Sequence, residues 1–294
     1  MSNYPHLATR LFNTPIAIAP QKAEIVMAAL ADRFGITKLF RSSGDMVVLA
    51  DGGAKAFLDG FESEAAANYR PYEVVAGVAI IPIEGTLVQK LGEMRPYSGM
   101  TGYDGIRANL SMAMNDESVR AIVLDVDSPG GEVAGCFDLV DAIYAARSTK
   151  PVWSILTESA FSAAYAIASA ASRVIVPRTG GTGSVGVICM HVDFSQALTK
   201  AGIEVTLIHF GAKKADGSDA KPLSKSALDR YQADVDTMGE LFVETVSRNR
   251  KLSTAKVRDT EAGTFLGASG VEIGFADAVM APDEAFASLL DELG

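Results

Sequence analysis

The sequence is poor in the side chains that most often carry metal binding and proton transfer. In 294 residues there are three histidines (His6, His191, His209), two cysteines (Cys136, Cys189) and one tryptophan. Scattered His and Cys with no ligand spacing offer no zinc-type pattern. The two cysteines lie in apolar stretches and read as buried reduced thiols, which fits a reducing compartment. Basic residues are also in deficit, 26 Lys and Arg against 36 Asp and Glu, a net charge of −10. Phosphate recognition needs clustered positive charge, so a nucleic-acid binder is excluded as the expectation. Long apolar runs are missing too: the most apolar windows, such as Val74–Ile83, are about half of what a membrane span requires. The N-terminal stretch has no basic region followed by an apolar core, so it does not read as a secretory signal. The expectation is a soluble, cytoplasmic protein.

What is present is an ordinary globular composition, 48% hydrophobic and 21% charged, on a chain long enough for one large domain or two smaller ones. Residues 1–73 read as an N-terminal extension of unknown role. Ala23–Phe34 carries Ile25, Val26, Ala29, Leu30 and Phe34 at helical spacing, and Ala54–Phe61 reads as a second short helix. From Val74 strands alternate with helices. Val78–Ile83 is an apolar run ended by Glu84-Gly85. Ala121–Val126 reads as a buried strand, then a turn at Ser128-Pro129-Gly130-Gly131 and a helix over Asp138–Arg147. Val152–Leu156 and Val174–Val176 read as strands around a small-residue helix, Ser162–Ala171. Further strands are expected at Val185–Met190 and Val205–Phe210, with a helix near Gln196–Ala201. Ser226–Arg250 places Leu228, Tyr231, Val235, Met238, Phe242 and Val246 on one helical face. This alternation predicts an α/β fold with mainly parallel sheets and flanking helices.

Two segments are candidates for chemistry. A strand, a glycine turn and a helix, as around Asp127–Gly131, present backbone N–H groups to an anion, although Pro-Gly is equally explained as a plain tight turn. Ser162 opens a small-residue helix. A serine there is either a cap that satisfies an orphan N–H, or a nucleophile whose alkoxide is favoured by the helix dipole. A nucleophilic serine needs a base. His191 is conceivable, while His6 and His209 are most simply structural or exposed. A desolvated lysine is the other choice, and Lys213 and Lys214 follow Gly211-Ala212 just after the Val205–Phe210 segment. Spacing alone does not choose among these.

Four motifs in order do choose. Ser128-Pro129-Gly130-Gly131, Phe161-Ser162-Ala163-Ala164-Tyr165, Gly183-Ser184-Val185-Gly186-Val187 and Gly211-Ala212-Lys213-Lys214 together resemble the signal peptide peptidase A family of Ser-Lys peptidases. The match runs from Val74 to the C-terminus, about three-quarters of the chain. The resemblance implies a ClpP/crotonase fold over residues 74–294 and a serine endopeptidase that needs no metal or other cofactor. It implies Ser162 as nucleophile, Lys214 (three residues after Gly211) as general base, Ser184 as the hydroxyl that orients the lysine, and Gly130 and Gly131 as oxyanion donors. Ala163-Ala164 departs from the glycines common after the family's nucleophile, a change expected either to narrow the pocket or to alter the turn, without removing a catalytic group.

Residues 1–70, the stretch Pro96–Tyr103 and Val271–Val279 are similar to the capsid assembly (head maturation) proteases of lambda-type phages. That similarity implies cleavage of scaffold, portal or capsid proteins in the host cytoplasm, within the procapsid. It leaves open whether a scaffold segment follows Gly294 in the full gene. The fold that the family resemblance implies commonly forms rings, so a homo-oligomer is expected, in which a dyad can be completed between subunits. A soluble bacterial relative of signal peptide peptidase and a non-catalytic capsid assembly module are the alternatives.

Overall fold

A computed structural model describes the three short strands 16–18, 39–40 and 46–47 and the continuous stretch 70–294. The helices expected at Ala23–Phe34 and Ala54–Phe61 lie outside the described residues. The strands are β1 (Ile16–Ile18), β2 (Leu39–Phe40), β3 (Met46–Val47), β4 (Glu73–Val75), β5 (Val78–Val88), β6 (Met100–Gly102), β7 (Ala121–Glu132), β8 (Val152–Phe161), β9 (Arg173–Val176), β10 (Gly181–Gly183), β11 (Thr264–Leu266) and β12 (Ala278–Val279). The helices are α1 (Tyr103–Asn115), α2 (Cys136–Ala146), α3 (Ala163–Ser169), α4 (Ser195–Lys200), α5 (Lys225–Arg250), α6 (Thr254–Arg258), α7 (Ala268–Glu272) and α8 (Pro282–Leu293). The result is a mixed α/β fold on a mostly parallel sheet.

The sheet is organised by three long strands that change neighbours along their length. β5, β7 and β8 run parallel side by side. At their beginnings they are flanked by β4 (antiparallel to β5) and β9 (parallel to β8). Toward their ends β5 pairs instead with β6, and β8 with β10, both parallel. Register shifts between Glu84 and Thr86 and between Val126 and Ser128 mark where the pairing changes. Among the described residues, β2 and β3 pair only with each other.

Alternation along β7 explains its continuous apolar run. Ile122, Leu124 and Val126 face one core cluster with α1, α2, α3 and part of α5, while Ala121 and Val123 face a second cluster with Ala285 and Leu289 of α8. A strand covered on both faces loses the polar half of its pattern. On α1, Tyr103, Ile106, Leu110 and Ala113 are buried, the spacing of one helical face. α3 is buried on every side, and its small residues let it sit between the sheet and α2 and α5.

Several expectations need correction. Ser128-Pro129-Gly130-Gly131 is not a turn: β7 continues through it to Glu132, and Gly130 absorbs the irregularity with φ +104°. Likewise Glu84-Gly85 does not end β5, which runs on to Val88. Val185–Met190 and Val205–Phe210 form no strands. The latter has the apolar content of a strand but pairs with none of the described strands, and Ile208 and Phe210 are 95% and 100% exposed. Of the cysteines, Cys136 is buried as expected and Cys189 is half-buried. The Ser226–Arg250 helix is present as α5, capped by the Ser224 hydroxyl accepting from Ala227 N. Its C-terminal half is packed through Phe242, Val243 and Val246, while in its N-terminal half Ala227 is buried and Leu228 is exposed.

The C-terminal half of α5 locks the region behind α3. Asn249 Nδ2 donates to Ser169 Oγ at 2.9 Å, and Tyr165 of α3 donates to the Phe275 carbonyl at 2.9 Å. Arg250 grips Asp277 with two nitrogens at 2.9 and 2.8 Å, and Asp277 Oδ2 accepts from Val174 N at 2.7 Å. Removing the carboxylate leaves a nearly buried guanidinium without its partner. Asp277→Ala is therefore expected to cost about 2–3 kcal/mol in chemical denaturation.

Beyond the cover of α8, the second sheet face ends in carboxylates. Glu84 and Asp127 are register partners on β5 and β7, and Asp125 precedes Asp127 by one alternation. Burial, then Asp125 and Asp127, push the Glu84 carboxyl above its ordinary range. Burial likewise raises Asp125, with Asp127 adding and the Thr157 hydroxyl opposing. A raised carboxyl binds its proton more tightly in the folded chain than in the unfolded one, so stability falls as pH rises through that interval. Asp125→Asn is expected to raise the Tm at pH 7, with the gain fading below about pH 4, where the unfolded carboxylates protonate. A gain that persists unchanged at low pH would contradict this origin.

Candidate functional site

Ser162 follows directly on the last residue of β8, and Ser184 directly on the last residue of β10. The register pairs Gly183 with Phe161, so the two serines are the next residues on adjacent parallel strands, which lie about 4.8 Å apart. On the other side, Ser128 of β7 pairs with Ala160, and two residues further along lie Gly130 and Ser162. The ends of β7, β8 and β10 thus gather Gly130, Gly131, Ser162 and Ser184. Crevices outside the carboxyl ends of parallel strands are where α/β folds bind ligands.

Ser162 is not a conventional cap. It precedes α3, but its hydroxyl makes no capping hydrogen bond, and its backbone stands at φ +54°, ψ −123°. A non-glycine residue there is strained, at a cost of about 1–3 kcal/mol. The conformation is held from both sides. Ser162 N donates to the Gly183 carbonyl at 2.8 Å, and Ala166 N donates to the Ser162 carbonyl at 2.9 Å. The residue is 1% exposed, and among the described residues its Oγ reaches only the Gly186 carbonyl at 3.5 Å, a contact too long to hold the hydroxyl firmly. A buried serine on a strained strand-to-helix corner, with a loosely engaged hydroxyl, is not serving as a cap and has an Oγ available for other chemistry.

Ser184 repeats this theme, with φ +57°, its N–H donating to the Gly263 carbonyl at 2.8 Å and its carbonyl accepting from Gly186 N at 2.9 Å. Among the described residues its hydroxyl has no hydrogen-bond partner. Between the serines, Gly183 sits at φ +110°, where an added Cβ would stand 2.5 Å from the Gly263 carbonyl oxygen. Only glycine allows that approach. Beside Ser184, Val185 and Val187 help line a cavity of about 390 Å³ together with Val235, Val243, Arg258 and Ala262.

The glycines of β7 have different neighbours. Gly130 N donates to Ser128 Oγ at 3.1 Å, and that hydroxyl donates to the Gly85 carbonyl at 2.7 Å. Gly131 packs so closely on β5 that a Cβ would fall 1.9 Å from the Leu87 oxygen. Ala163 and Ala164 are fully buried in α3.

Lys214 is not brought to Ser162. Its backbone N–H closes a turn onto the Gly211 carbonyl at 3.1 Å, the residue is exposed, and its amine makes no hydrogen bond or ion pair among the described residues. It follows the uncovered stretch containing Ile203, Val205, Leu207, Ile208 and Phe210. Lys213 is exposed beside it. His209 lies in the same stretch, its Nδ1 2.9 Å from the Gly211 carbonyl. The feature that sequence reasoning missed is the left-handed strain at Ser162 and Ser184. Its only trace in the sequence is the glycine on the N-terminal side of Ser184.

Among the described residues no group of three or more His, Cys, Asp and Glu is arranged to hold a metal ion, and no helix is long and apolar enough to cross a membrane.

Comparison with known proteins bears on this site. The family Peptidase S49 matches residues 145–294, a span that contains Ser162, Ser184 and Lys214. The head-tail preconnector protein GP5 of Enterobacteria phage P21 is 40% identical over 292 residues, covering 99% of this chain and 58% of that protein. The capsid assembly protease C of Escherichia phage lambda is 38% identical over 294 residues, covering 100% of this chain and 67% of that protein. Protease 4 of Haemophilus influenzae is 30% identical over 217 residues, 73% of this chain and 34% of the relative. The chain therefore spans between about a third and two thirds of the relatives it matches. With half its length under the family match and full-length similarity to a capsid assembly protease, this chain belongs to peptidase family S49.

Proposed function

We propose that the chain is a serine endopeptidase of phage capsid maturation, acting on scaffold, portal or capsid proteins, with residues 74–294 as a peptidase domain of ClpP/crotonase type. The observation that carries the reading is Ser162, buried and strained at the end of β8, with no capping bond. The names of the P21 and lambda relatives support the setting. The way β5, β7 and β8 change neighbours midway supports the fold type.

In this reading the Ser162 hydroxyl attacks the scissile carbonyl as a neutral lysine amine, that of Lys214, takes its proton. The tetrahedral oxyanion is met by backbone N–H groups of Gly130 and Gly131. Such donors are typically worth a few kcal/mol. For Gly130 the service is an exchange, since its N–H now donates to Ser128 Oγ. The protonated lysine then gives its proton to the leaving amine, and water hydrolyses the acyl-enzyme by the reverse sequence. Ser184, adjacent to Ser162 and with an unengaged hydroxyl, receives the lysine amine and orients it.

The exposure of Lys214 supports a base supplied by a second copy. Ile208 and Phe210 stand almost wholly in solvent, and contiguous exposed apolar surface of this kind marks an interaction site. A homo-oligomer that covers the 203–210 segment carries Lys214 of one copy to Ser162 of the next. Covering it also desolvates the amine, which favours the neutral form a base requires.

Ser162→Ala and Lys214→Ala are each expected to lower peptide hydrolysis by at least about 10³-fold with the far-ultraviolet spectrum unchanged. Mixing the two inactive variants is expected to restore part of the activity, because some interfaces then join an intact serine to an intact lysine. Full activity in Ser162→Ala overturns the peptidase assignment. Activity lost in His191→Ala but kept in Lys214→Ala moves the base to histidine, and no recovery on mixing places both groups in one subunit.

A further inference from the structure

The edge of β7 next to Ser162 is already taken by the chain itself. Up to Ser128, β7 lies between β5 and β8. Past that point β8 leaves it, pairs with β10 and ends at Phe161, while β5 stays in place opposite Gly130 and Gly131 through Thr86 and Leu87. A strand has two edges, so what pairs next with Gly130–Glu132 must occupy the side that β8 has vacated, the side on which Ser162 follows. β1 does so, antiparallel, with Ile18 opposite Gly130, Ala17 opposite Gly131 and Ile16 opposite Glu132.

We propose that Ile16–Ile18 is a built-in occupant of the substrate edge, an intramolecular competitor that must leave before a substrate strand can pair with Gly130–Glu132. The inference rests on the peptidase reading above and adds to it the kind of ligand this edge takes and what limits access to it. A peptide attacked by Ser162 has to lie beside β8's end, and an extended backbone added to β7 there gains its affinity from ladder hydrogen bonds. Strand slots are about 4.8 Å wide, so one slot holds one strand, and β1 and a substrate exclude each other.

The sequence around β1 suits a displaceable occupant. It reads Pro15-Ile16-Ala17-Ile18-Ala19-Pro20. Proline has no N–H to give a ladder and is confined to strand ends and edges, so the two prolines limit the strand to a few residues. A three-residue strand is weak on its own. Tethering makes its docking intramolecular, and a high effective concentration offsets the weak pairing. The ligand class follows from what the edge already holds: an extended, uncharged peptide of aliphatic residues.

The test uses the full-length chain with Ala17→Pro, and separately with Ile16→Asp and Ile18→Asp together, so that a folding defect in one leaves the other informative. In the Ser162→Ala background, a fluorescently labelled synthetic peptide reproducing residues 14–20 is titrated by anisotropy. It is expected to bind the strand-disrupted chains at least roughly tenfold more tightly than the chain with an intact β1, since the competitor is gone. Amide hydrogen exchange at Gly130–Glu132 is expected to speed up in the same variants and to slow again when the peptide is added. With Ser162 present, the KM for an extended aliphatic peptide should fall in both variants. Equal peptide affinity with and without β1, or no binding to any of the chains, overturns the proposal. Failure of the peptidase reading looks different: no chain turns over peptide, while the difference in binding persists.

Discussion

The Ser162 backbone is the constraint on which the site depends. A serine at φ +54°, ψ −123° does not stay there unless its surroundings forbid relaxation. They do so through the bond from Ser162 N to the Gly183 carbonyl and through α3, which begins at the next residue. Behind α3 stand Tyr165 bonded to the Phe275 carbonyl, Asn249 bonded to Ser169, and the Arg250–Asp277 clamp on β9. The C-terminal part of the chain thus acts on the site without contributing a reacting atom. It holds the helix that holds the serine.

The same corner decides what else can reach the serine. Because β8 turns away from β7 to meet β10, it opens one strand-wide slot along Gly130–Glu132 and sets Ser184 next to Ser162. The strained Ser162, its neighbour Ser184 and the strand edge that β1 occupies are three results of one change of strand neighbours. Lys214 is the candidate residue that this change does not bring in. Lys214 stands on a segment whose apolar residues face solvent in the single chain, and a segment of that composition gains its structure from whatever covers it. Under the proposed reading, a base placed there would make activity conditional on the contact that covers it.

How much of this was legible in the sequence follows from the range of the interactions involved. Periodicity located α2, α4 and α5 to within a residue or two, because helical faces are local. The paired apolar runs gave the central strands, and four motifs gave the family. Where β7 ends was not legible: Ser128-Pro129-Gly130-Gly131 has the composition of a turn, and pairing with β5 on one edge and β1 on the other keeps it extended. Nor was the fate of Val205–Phe210, whose apolar content predicts a strand but which pairs with none of the described strands. Ser162 read equally as a cap, since a strained φ leaves no mark in one residue's identity, and the pairing of β1 with Gly130–Glu132 joins segments more than a hundred residues apart.

The central claim is that Ser162 is the nucleophile and that Lys214 serves it across an interface between copies. Its most direct measurement is a crystal structure of the assembled chain after reaction with a serine-directed fluorophosphonate. The account predicts phosphorus bonded to Ser162 Oγ, with Lys214 Nζ of a neighbouring copy within about 2.6–3.2 Å of that oxygen and the 203–210 segment covered by the contact. An adduct on another residue, or Ser162 modified with no lysine amine near it, would contradict the account.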